Sequence, residues 1–157
     1  MIRKIGNLLA GMYSWFVIIL VVGMFIVVGL NVFSRYVLNA SLGWADELAR
    51  FLFIWVSLLG AVMAFASSEH VGLDILVERV PHEGMKNVLV FLSHLAVLGA
   101  LIVYTVSGWE VAVSADNVSP ALYIPMTAVY AIMPISGILM IAMSLQKLAR
   151  LMTRRNK

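Results

Sequence analysis

Ile5–Ser34 reads IGNLLAGMYSWFVIILVVGMFIVVGLNVFS, thirty residues without one acidic or basic side chain. An α-helix rises ~1.5 Å per residue and a bilayer's hydrocarbon core is ~30 Å thick, so this stretch is long enough to cross a membrane. It is continuously apolar rather than alternating, which selects a helix over a barrel strand among the structures that satisfy their backbone in lipid. Three more uncharged runs follow, Phe51–Ser68, Asn87–Trp109 and Asn117–Gln146. The pattern predicts an all-α integral membrane protein with four transmembrane helices, over about 8–30, 48–68, 88–109 and 121–145, forming a single four-helix domain across 1–157.

Composition agrees with that reading. The chain is 62% hydrophobic and 12% charged, with a mean hydropathy of +0.99, whereas a soluble domain carries about 25% charged residues. There are no cysteines, which excludes a disulfide framework, thiolate metal sites and dithiol chemistry. The net charge of +3 comes from a basic tail and is not a nucleic-acid signal. The opening Met-Ile-Arg-Lys resembles a signal peptide, but the apolar run is too long for one and has no small-x-small cleavage site before Asn31, so a retained first span is expected.

Charge outside the spans orients the chain. With both termini inside, nine Lys and Arg fall on the cytoplasmic side and two, Arg35 and Arg50, on the other; the positive-inside rule therefore places both termini in the cytoplasm. Residues 71–80 hold Leu73, Leu76, Val77 and Val80 at helical spacing, with Asp74 and Glu78 on another face and Pro81 as a stop. This predicts a short amphipathic helix between spans two and three, lying on the bilayer or against a partner. Pro134 is expected to kink the fourth span. The basic tail from Lys147 onward suits anionic cytoplasmic lipid.

Chemistry-bearing residues are scarce within the spans. Asp46 and Glu47 open the second helix and Arg50 follows at helical spacing from both. An interfacial salt bridge worth a few tenths of a kcal/mol is one reading; a docking site that holds Arg50 at the lipid boundary is the other. His94 is the one histidine within a span, too few for a bis-histidine haem site. No carboxylate lies deep in a span, as a proton- or cation-coupled carrier would need. No catalytic motif is present, and no enzyme, metal or cofactor is predicted. Ser57/Ala61, Gly60/Ala64 and Ala96/Ala100 are small-xxx-small pairs, and Gly23 and Gly29 flatten the first span, all candidates for close helix packing. The residues describe a membrane protein without its own polar pathway, an accessory subunit. A redox-complex anchor or a small homo-oligomeric transporter are the alternatives.

Several segments together carry a resemblance. They are Ser34-Arg35-Tyr36, the stretch from Trp44 through Asp46 and Glu47 to Arg50, the stretch from Phe53 through Trp55 to Gly60 and Ala61, and Glu69-His70 through Asp74. Ser119-Pro120 through Pro125 and Tyr130 through Pro134 follow. In order and spacing, over nearly the whole chain, they resemble the small membrane subunit (Q, small permease) of tripartite ATP-independent periplasmic (TRAP) transporters. The resemblance implies a partner role in a bacterial inner membrane: a large sodium-coupled membrane subunit (M) carries the solute, commonly a carboxylate, and a periplasmic substrate-binding protein (P) docks on the outer face. It implies a structural or subunit-contact role for Arg35, Trp44, Asp46, Glu47, Arg50, Trp55, Gly60, His70 and Asp74. It implies no substrate-binding residue.

Overall fold

The computed structural model describes residues 2–67 and 83–155, so the amphipathic segment 71–80, His70 and Asp74 lie outside the described residues. The described residues form helices joined by short turns: α1 (Ile2–Val37), α2 (Gly43–Ser67), α3 (Glu83–Ser114), a short α4 (Met126–Tyr130) and α5 (Ile132–Arg155). Four stretches, Gly11–Val37, Gly43–Ser67, Val88–Ser114 and Met126–Ala149, are long and apolar enough to cross a membrane.

The connections follow from local chemistry. Asn39 takes a left-handed conformation at φ 50°, which its short polar side chain tolerates. The Leu38 and Ala40 amides then both reach the Ser34 carbonyl, at 3.1 and 3.2 Å. Asp46 sits in the first turn of α2, where a carboxylate complements the helix dipole. The fourth crossing begins at Met126, just past Pro125, because residues 117–125 form a self-bonded turn. Within it Ser119 N–H donates to the Ile124 carbonyl and Met126 N–H to the Asn117 carbonyl, both at 3.0 Å. Pro134 marks a local break in the fourth crossing. It has no N–H to offer the Tyr130 carbonyl one turn back, and the helix is interrupted at Ala131 between α4 and α5.

The principal contacts run α1–α2–α5–α3, so the helices form an open row rather than a closed bundle. The outer members are thinly covered: 6% of the α3 span window is buried against 39% of the window that holds α4 and α5. Val17, Leu59 and Ile132 anchor the core where α1, α2 and α5 meet, with Trp55, Leu58 and Leu20 packed around them.

The closest backbone approaches lie elsewhere than the sequence pattern indicates. A Cβ added at Gly23, Gly29 or Gly60 would meet nothing within 4 Å, and Ser57, Ala61, Ala64, Ala96 and Ala100 are exposed. The tight contact joins α3 to α5. A Cβ at Gly108 would sit 2.9 Å from Met133 Cβ, and one at Gly137 would collide with Thr105 Oγ1. Gly108 forms a small-xxx-small pair with the buried Ala112, which the sequence reading did not single out, whereas Gly137 has no such partner on its own helix.

Candidate functional site

The polar side chains converge on the end of the row where α1 stops and α2 begins. Asn31 and Arg35, four residues apart on α1, share a helix face. Asn31 Nδ2 donates to Asp46 Oδ1 at 2.6 Å and Arg35 Nη2 to Asp46 Oδ2 at 3.4 Å. Asn31 is buried, while Arg35 and Asp46 are about half exposed. The carboxylate prefers the amide's N–H to its oxygen, and Asn31 Oδ1 is left buried without a hydrogen-bond partner. Nearby, Ser34 Oγ donates to the Ala40 carbonyl at 2.7 Å, folding the α1–α2 link over the helix end.

Glu47 reaches the other way. Ala121 N–H donates to its Oε1 and Oε2 at 3.0 and 3.1 Å, and Leu122 N–H to Oε2 at 3.0 Å. Successive amides in such a turn make a concave cradle for an anion, and here the anion is a side chain of α2. Tyr123, next in the turn, holds φ 55°, an uncommon conformation for a bulky residue. Two neighbouring acids in one helical turn thus fasten α2 to α1 on one side and to the α3–α4 connection on the other.

No salt bridge within 4 Å forms between Arg50 and either acid, although Arg50 lies near enough to Glu47 to act on it electrostatically. Among the described residues the ion pair within 4 Å is Arg35–Asp46, and Arg50 is exposed. The physical reason is competition: both acids already have partners that an adjoining element presents to them, and such contacts outrank a one-turn pair on an exposed face. Trp44 lies beside the clasp at the helix start, 41% exposed. Trp55 is deeper; its Nε1 donates to the Val129 carbonyl of α4 at 3.1 Å. Gly60 takes no part, with open space around it.

Several residues of the assembly were not among those singled out by sequence. Tyr13 donates its hydroxyl to the Leu59 carbonyl at 2.8 Å. Thr127 Oγ1 donates to the Ala115 carbonyl at 2.9 Å. Lys147 Nζ donates to the Phe65 carbonyl at 2.8 Å and lies 5.0 Å from the Phe65 ring centroid, so one cation serves both the last turn of α2 and an aromatic face. The partners of these residues lie 46, 12 and 82 positions away in sequence, beyond the reach of helical periodicity. His94 is buried and its Nδ1 pairs with the Val90 carbonyl of its own helix at 2.7 Å. No group of three or more potential metal ligands occurs among the described residues. What this arrangement does chemically is hold helix ends in register.

Comparison with known proteins identifies the family. Residues 24–154 match the profile of the tripartite ATP-independent periplasmic transporters' DctQ component. A protein of Haemophilus influenzae named as a TRAP transporter small permease is 32% identical over 80% of this chain and 78% of its own length. The C4-dicarboxylate TRAP transporter small permease protein DctQ of Rhodobacter capsulatus is 32% identical over 64% of this chain and 45% of its own. The isethionate TRAP transporter permease protein DctMQ of Oleidesulfovibrio alaskensis is 29% identical over 68% of this chain, a match that spans 17% of that longer protein.

Proposed function

The chain belongs to the DctQ component family of TRAP transporters, and from that premise we propose that it steadies a large membrane subunit during sodium-coupled uptake of a carboxylate solute. It is a multi-pass membrane protein and a transporter subunit, not an enzyme. In this reading both termini face the cytoplasm of a bacterial inner membrane, and the Asp46–Glu47 clasp lies on the periplasmic side. The same side would receive a periplasmic substrate-binding protein.

One observation carries the proposal: the helices form an open row whose polar side chains tie its own elements together. A carrier needs a polar path that opens to each side in turn; a scaffold needs a wide apolar face and fixed helix ends. The relative named DctMQ supports the partnership, because its match to this chain occupies one part of a longer permease protein. Two relatives of similar identity are named for different solutes, C4-dicarboxylates and isethionate, which fits selectivity residing outside this chain.

Among the described residues no acid lies within 4 Å of Arg50. It heads an exposed face of α2 that continues through Phe53, Ser57 and Ala61. We place the large subunit against this face. The test is purification of the tagged chain from its native membrane in mild detergent, with mass spectrometry of co-eluting proteins. A large polytopic protein in near-equal amount is expected, and Arg50→Ala should reduce its recovery. A solitary chain that takes up solute in liposomes by itself would overturn the reading.

A further inference from the structure

We propose that residues 117–130, the turn together with α4, form a hinged lid beside an apolar groove, latched to α2 by Glu47 and Trp55. This does not depend on the subunit reading above.

The segment is built to move as a unit. Its internal backbone bonds, Ser119 N–H to the Ile124 carbonyl, Tyr123 N–H to the Ser119 carbonyl and Met126 N–H to the Asn117 carbonyl, measure 3.0 to 3.1 Å. They hold the turn in one shape whatever it rests on. Its ends are the weak points. Residues 115–117 are outside any helix. At the other end Pro134 leaves the Tyr130 carbonyl without its helical donor, while Ala131 keeps a helical backbone and stays bonded to Thr127 and Ile135, at 2.9 and 3.3 Å. Below that pivot α5 is pinned to α3 by the close approaches at Gly108 and Gly137 and by Tyr104 Oη to Ser136 Oγ at 3.1 Å. A pivot between a rigid turn and a pinned helix is where a kinked helix bends most readily.

The hydrogen bonds that tie the lid to other elements come from side chains. Glu47 holds the Ala121 and Leu122 amides, Trp55 holds the Val129 carbonyl, and Thr127 reaches back to Ala115. The positive φ of Tyr123 is backbone strain held in place beside the Glu47 contacts. Beside the lid lies a partly open groove of ≈ 250 Å³ with only apolar surface. Ile124 and Val129 form its lid-side wall and Leu48, Phe51 and Trp55 its α2 wall. From Leu48 to Trp55 it runs ~10 Å along α2. Releasing Glu47 and Trp55 would swing the first wall from the second and widen the groove.

Hydrogen exchange of the full chain in lipid nanodiscs tests this. Amides of 117–130 should be protected in the wild type. Glu47→Ala and Trp55→Phe should each speed their exchange about tenfold or more while α3 and residues 132–149 keep their rates, the signature of local opening. Pro134→Ala, which restores a donor at the pivot, should reverse part of the gain in the Glu47→Ala background. Unchanged rates in both latch variants would overturn the proposal. So would acceleration spread evenly through α2, α3 and α5, or no effect of Pro134→Ala.

Discussion

Between α1 and α2 the polar ties are side chains that reach across: Tyr13 to the Leu59 carbonyl toward one end, Asn31 and Arg35 to Asp46 at the other. Between α3 and α5 the decisive contacts are backbones brought together at Gly108 and Gly137, with Tyr104 and Ser136 as a single hydroxyl pair. Without a hydrophobic drive to associate in lipid, helices have both means available. Reaching side chains tolerate a change in spacing because rotamers adjust. Touching backbones do not, because a single methyl has nowhere to go. The α3–α5 pair should therefore be the rigid half of the row, and the α1–α2 pair the adjustable half.

The sharpest way to break this contrast is a matched pair of glycine substitutions, read as thermal unfolding midpoints in one detergent. Gly137→Ala drives a Cβ into Thr105 and Tyr104 and should cost about 2 kcal/mol, the range for overpacking. Gly60→Ala meets open space and should be neutral or stabilise by up to about 1 kcal/mol through helix propensity and unfolded-state entropy. Equal effects would end the distinction between the two pairs.

A smaller effect is expected at the clasp. Asp46→Ala removes the partner of both Asn31 and Arg35 and should cost about 1 kcal/mol, because the carboxylate is half exposed and water can replace part of what is lost. In a double-mutant cycle, Asn31→Ala should add little once Asp46 is gone. Full additivity would mean that the 2.6 Å contact carries no coupling. The smallest effect belongs to Tyr13→Phe, which removes one neutral hydrogen bond to a carbonyl and should cost under about 1 kcal/mol. A larger loss would make that contact a principal tie of α1 rather than an auxiliary one.

The clasp is legible in the sequence, but its bonds are not. Asp46 and Glu47 stood out because two acids open an apolar helix, and the i,i+3 and i,i+4 rule then offered Arg50 as their partner. That rule sees one helix at a time. The actual partners are Arg35, eleven positions upstream, and the Ala121 amide, seventy-four downstream. Small-residue packing failed for a related reason. Ser57, Gly60, Ala61 and Ala64 have the spacing of an interface, but spacing does not say which face a neighbour occupies. Gly108, four residues before Ala112, has that spacing too and Gly137 does not, yet both carry the contact. Pro134 was legible, because a missing N–H acts on its own helix whatever surrounds it.

Apolar length and the absence of charge determined, from sequence alone, that the chain is helical and crosses a membrane four times, because an unpaired backbone or a buried charge in lipid costs more than any rearrangement recovers. Motif order and spacing pointed to the family. The order of helices in the row, the separate partners of the two adjacent acids and the glycines at the tightest crossing were decided only in three dimensions. Each depends on which surfaces meet, and within a uniformly apolar span many pairings bury nearly the same area; a few hydrogen bonds and two missing methyl groups select among them.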